Sequence, residues 1–130
     1  MPHCILEYTD NIPDPPDSRI LLAELNRKLA ATGIFDLFDF KSRVIVHRDY
    51  VIGDGDPSRA FVTLNIAILS SRPTRVKEQI SDLAISLLEE KFSSCLGAAP
   101  WSLSVQVSEL DRECYRRRVN YGTPEATPPV

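Results

Sequence analysis

Two copies of one pattern, strand then helix then strand, constrain this chain more than any other feature of its sequence. In the second copy, Val62, Leu64, Ile66 and Ile68 alternate with Thr63, Asn65 and Ala67, which predicts a strand over about 59–69 with one buried face. Ser70-Ser71-Arg72-Pro73 then opens a helix, with Pro73 in the first turn, where its missing N–H costs little. Val76, Ile80, Leu83, Ala84, Leu87, Leu88 and Phe92 give that helix a wide apolar stripe to about Ser94, and Gly97 and Pro100 end it. Trp101, Leu103, Val105 and Val107, alternating with serines and Gln106, make the next strand.

The first copy runs the same way. His3 to Tyr8 reads as a strand, and Pro13, Pro15 and Pro16 stiffen the connection that follows. Asp17 or Ser18 caps a helix reaching about Thr32, with Leu21, Leu22, Leu25 and Leu29 on one stripe and Gly33 placed to close it. An aromatic-rich crossover, Ile34 to Phe40, leads into a strand over about 42–51. That strand sets Val44 and Val46 on one face and Arg43, Ile45 and His47 on the other. Gly53-Asp54-Gly55-Asp56-Pro57 is a dense turn signal between the copies.

Each copy should form a parallel strand pair with a right-handed crossover. The expected fold is therefore α+β: duplicated β-α-β units giving a four-stranded sheet with two helices on one face. Residues 1–115 form one domain, with halves at about 1–58 and 59–115, and residues 116–130 a mobile tail. The helix-free face carries Ile5, Ile45 and Phe61, so self-association through the sheets would cover it.

Composition narrows the function classes. The apolar fraction of 43% and charged fraction of 25% are those of a soluble globular protein. No apolar run approaches the ~20 residues of a membrane span, and the N-terminus lacks the pattern of a signal peptide. These point to a cytoplasmic protein with no membrane partner. A net charge of −3 gives no whole-chain attraction to nucleic acid. The cysteines, Cys4, Cys95 and Cys114, follow no metal-ligand spacing and read as free thiols. Eleven arginines against four lysines favour planar anion recognition.

Several residues stand out as candidates. Removal of Met1 would leave Pro2 as a secondary amine at the head of a strand, where burial and nearby cations make it a base near neutral pH; the plainer reading is a compact residue on an edge strand. Arg72, at a strand-to-helix junction, suits a carboxylate, against the plainer reading of a solvated loop arginine. Lys41 and Arg43 share a strand face. His47 lies on that face too and reads as structural or exposed, and His3 could tune Pro2. The Gly53–Asp56 stretch lacks the spacing of a phosphate or calcium loop. Arg116 to Arg118 reads as a solubilising patch.

Taken in order, Met1-Pro2-His3, Glu7, Asp10-Asn11-Ile12, Ala30-Ala31-Thr32-Gly33-Ile34-Phe35, Ser42-Arg43-Val44, Asp54-Gly55, Ala60-Phe61-Val62, Arg72, Leu103-Ser104 and Glu109-Leu110 resemble the tautomerase superfamily. Within it the likeness is greatest to the 5-carboxymethyl-2-hydroxymuconate Δ-isomerases, and it runs over about residues 1–110, with the tail departing from the pattern. The resemblance implies a homotrimer and a cofactor- and metal-independent isomerase of aromatic catabolism. In such an enzyme Pro2 moves a proton in an unsaturated 2-hydroxy or 2-oxo acid. Arg72 and Arg43 would hold the carboxylates of this small substrate. Lys41 stands where the isomerases have an arginine, keeping the charge but not the planar fork. The competing readings are a non-catalytic trimer of the same fold, or a related dehalogenase or decarboxylase of small acids.

Overall fold

A computed structural model describes residues 1–121. Strand β1 spans His3–Thr9, helix α1 Ser18–Ala30, β2 Lys41–His47, β3 Ala60–Leu69, α2 Thr74–Leu96 and β4 Trp101–Leu110. Short 3-10 turns stand at Leu37–Asp39 and Arg112–Cys114. The sheet order is β2-β1-β3-β4, with β1–β2 and β3–β4 parallel and β1–β3 antiparallel. The two β-α-β units therefore lie side by side, joined through their first strands.

Alternation decides what is buried. Cys4, Leu6, Val62, Leu64, Ile66 and Ile68 are fully shielded between sheet and helices. Against them pack Leu21, Leu25 and Leu29 of α1 and Ile80, Ala84, Leu87, Leu88 and Phe92 of α2. Burying each such side chain is worth about 1.5–3 kcal/mol, so this layer supplies the main drive to fold. The helix ends follow from local chemistry. The Asp17 carboxylate accepts from the N–H groups of Arg19 and Ile20 at 3.0 and 3.2 Å. Gly33 sits at φ +81° just past α1, a conformation that disfavours any Cβ.

Three boundaries differ from expectation. Pro73 is the N-cap residue of α2 rather than part of its first turn. Strand β2 stops at His47, because beyond it the register with β1 has run out at Thr9. Residues 111–121 pack back against the domain: Arg112 N–H donates to Ser70 Oγ at 3.2 Å, and Arg117 Nη2 reaches Asp39 Oδ1 at 2.9 Å. Arg117, expected in a solvated patch at the start of a mobile tail, thus has a side chain only 8% exposed. The rest of that expected tail, 122–130, lies outside the described residues.

This topology gathers four strand ends in one place. The starts of β1 and β2 and the finishes of β3 and β4 all lie at the same end of the sheet. The crossover before β2 also arrives there, and residues 111–121 run across it from the β4 edge to the β2 edge.

Candidate active site

Pro2 lies at this end, buried, and its carbonyl accepts from the backbone N–H of Lys41 at 3.1 Å. That bond extends the β1–β2 ladder by one step and ties the N-terminus to the start of β2. Lys41 Nζ donates to the Asp39 carbonyl at 3.0 Å and bonds the Tyr121 hydroxyl at 3.1 Å. Asp39 is itself buried, its carboxylate held by Arg117.

The register puts Lys41 beside His3 and Arg43 beside Ile5, all on the face without helices. Arg43 Nη1 is 3.1 Å from His3 Nδ1 and 3.3 Å from the Lys41 carbonyl. A guanidinium can only donate, so Nδ1 is the acceptor and the imidazole carries its proton on Nε2. Burial, then Arg43 and the other nearby cations, lowers the His3 pKa, which keeps the ring neutral. Farther along the same face, His47 Nε2 meets Glu7 Oε1 at 2.8 Å, away from the charged end.

Arg72 approaches the same end from the β3–α2 junction. Its guanidinium lies 5.0 Å from the centre of the Phe35 ring and its Nη2 donates to the Ile34 carbonyl at 3.4 Å. Phe35 is in turn set edge-on against Phe40 at 5.7 Å, so the aromatic crossover is what shapes the seat of Arg72. Its Nε is buried with no acceptor among the described residues. Burial and the neighbouring Arg112 lower its pKa, and no carboxylate among the described residues pairs with it.

Met1 precedes Pro2 at this end and is buried, at 7% exposure. Its amine is lowered from 8.0 to about 6, mainly by desolvation, with Arg117 and Lys41 acting the same way and Asp39 against them. Elsewhere the thiols are poor nucleophiles: burial pushes Cys4 up to about 11, and Cys95 and Cys114 are also raised.

Residues 2–122 match the family model for 5-carboxymethyl-2-hydroxymuconate isomerase. The chain belongs to that family. The family pattern also includes the segment after Leu110, where the sequence reading placed a departure from it. The chain is 33% identical over 110 residues to a 5-carboxymethyl-2-hydroxymuconate Delta-isomerase of Escherichia coli, covering 85% of this chain and 87% of that protein. A 5-carboxymethyl-2-hydroxymuconate isomerase from Deinococcus radiodurans R1 superposes with a TM-score of 0.84 at 32% identity, over 92% of this chain and 90% of that one. A fused 4-OT symmetric trimer shares the fold alone, with a TM-score of 0.66 at 10% identity, over 95% of this chain and 97% of that one. As a member of this isomerase family the chain is an isomerase.

Pro2, Lys41, Arg43 and Arg72 thus all sit at or near one end of the sheet. Sequence reasoning missed Asp39, Tyr121 and Arg117, which converge there too. The sequence marks this segment only by Arg116-Arg117-Arg118, a basic run between Tyr115 and Tyr121 that by itself reads as solvated.

Proposed function

We propose that this isomerase moves a proton within an unsaturated 2-hydroxy- or 2-oxo-carboxylic acid, using Pro2 as general base once Met1 is removed and needing no cofactor. The amine takes a proton from the substrate and returns it at another position along the conjugated chain. The electron pair left behind delocalises toward the carbonyl oxygen, and cations at this end of the sheet offset the negative charge. Arg72 and Arg43 hold carboxylates, with Lys41 as a third, less directional cation. The family and its Escherichia coli member are named for 5-carboxymethyl-2-hydroxymuconate, a 2-hydroxymuconate carrying one further carboxylate, and this supplies the substrate class.

The observation that carries this reading is the convergence of the buried Pro2 with Lys41, Arg43 and Arg72 at one end of the sheet. The Met1 amine there is lowered to about 6, mainly by desolvation, and an amine so lowered is neutral at pH 7 and able to accept a proton. Pro2 is one residue away, among the same charges. We further read the protein as a cytoplasmic homotrimer of aromatic catabolism, in which neighbouring copies cover the helix-free face bearing half-exposed Ile45. The test is an absorbance assay on 2-hydroxymuconate-type dienoates and phenylenolpyruvate, with the Pro2 terminus confirmed by intact mass. Turnover of at least one is expected; none across the panel would overturn the reading.

A further inference from the structure

The segment after β4 carries a group that the reading above does not use. Residues 111–121 leave the β4 edge, bond Ser70 through the Arg112 N–H, and end at the β2 edge, where Tyr121 meets Lys41. Between these anchors Arg117 enters the protein, with only 8% of its side chain exposed. Its Nη2 donates to Asp39 Oδ1 at 2.9 Å, but its Nε and Nη1 are buried and have no acceptor among the described residues.

That arrangement is expensive for a purely structural ion pair. Buried guanidinium–carboxylate pairs usually engage two parallel N–H···O bonds, and a buried donor left unmade carries its full desolvation penalty. Here one nitrogen of three serves Asp39. Arg117 is linked to the N-terminus through Asp39, whose carbonyl accepts from Lys41 Nζ, while the Lys41 N–H donates to the Pro2 carbonyl. The charge of Arg117 is felt directly by the Met1 amine. Met1 is buried at the same end and is bonded to the Pro2 nitrogen, so its removal frees the volume it occupies beside that nitrogen.

We propose that Arg117 is a further carboxylate-binding residue of this site, its Nε and Nη1 donors reserved for a second carboxylate of a dicarboxylate substrate, with Asp39 positioning the guanidinium. This rests on the reading of the site as one that binds unsaturated acids. It assigns the segment after β4 a part in specificity: a monocarboxylate leaves the Arg117 donors unpaired, whereas a dicarboxylate satisfies them. Discrimination of this kind is strong because it works through the penalty for unmade bonds.

Binding of trans,trans-muconate and of sorbate, matched six-carbon dienoates differing by one carboxylate, tests this by calorimetry on the whole protein with a Pro2 terminus. Neither probe carries the 2-hydroxyl needed for isomerisation, so the result does not depend on Pro2 acting as base. Wild-type protein is expected to prefer muconate. Arg117→Met should weaken muconate by roughly ten- to a hundredfold, the scale of one charged hydrogen bond, and leave sorbate within about twofold. Arg117→Lys, which keeps the charge beside Asp39 in case the methionine variant does not fold, should lose part of the preference for muconate. Asp39→Asn should reduce the preference in the same direction. An unchanged muconate-to-sorbate ratio in Arg117→Met, or in Arg117→Lys if only that variant folds, would overturn the proposal, as would equal loss of both ligands or a wild-type protein without preference. Muconate binding that depends on Arg117 in a protein without turnover would uphold this inference and remove Pro2 as base.

Discussion

Both ends of the sheet carry loops and charged residues but use them differently. At the far end, Asn11 Nδ2 donates to the carbonyls of Pro57 and Arg59 at 3.1 and 2.6 Å, Arg59 pairs with Asp54, and Asp56 accepts from Ser58 at 2.9 Å. Polar groups there close the loop onto itself. At the near end, Arg72 Nε and two nitrogens of Arg117 have no acceptor among the described residues, and the terminal amine is held against its charged form. Satisfied polar groups make a fastening, while unsatisfied cations beside an amine make a place for an acid.

Substitutions at the two ends should therefore fail differently. Arg72→Ala should raise KM by roughly ten- to a hundredfold, one charge-assisted hydrogen bond, while shifting the melting temperature little, because Arg72 has no carboxylate partner among the described residues to strand. Steady-state kinetics and thermal melts on the same preparation check both parts; unchanged KM would take Arg72 out of the site. Asn11→Ala at the far end should do the reverse. Losing two bonds to backbone carbonyls should lower stability by about 1–2 kcal/mol in urea titrations and leave kcat/KM unaltered.

The legibility of the sequence divides along the same line. Strand β3 and helix α2 could be read because their periodicities, two and 3.6, each report one buried face, as Leu64 and Leu87 show. Arg72 could be read because a strand-to-helix junction is a local feature. Arg117 could not. Its partner Asp39 lies seventy-eight residues away, and the segment carrying it has no period, since it packs across strand ends rather than along a face. A basic run of that kind reads as solvated unless the topology that returns it to the β2 edge is known.

Titration offers finer tests. Asp39 favours the protonated amine, whereas Lys41 and Arg117 oppose it. Asp39→Asn should therefore move the rising limb of kcat/KM to lower pH, and Lys41→Met should move it higher. Shifts of the opposite sign would mean that the limb reports another group. The smallest effect concerns stability in protein that retains Met1. Its amine falls from 8.0 in the unfolded chain to about 6 when folded, so the unfolded state binds more protons between those values. Stability should rise as pH goes from about 6 to 8, a trend that denaturant melts at several pH values would detect.

The most direct measurement compares two preparations that differ only at the terminus, one beginning at Pro2 and one keeping Met1, each confirmed by intact mass. With Met1 in place the Pro2 nitrogen is an amide and cannot take a proton, and the buried Met1 side chain stands next to it. Activity on a 2-hydroxymuconate-type dienoate is expected only in the Pro2 preparation, with an acid limb below the range of an ordinary α-amine, about 7.7–8.0. Equal activity in both preparations would contradict the assignment of Pro2 as the base.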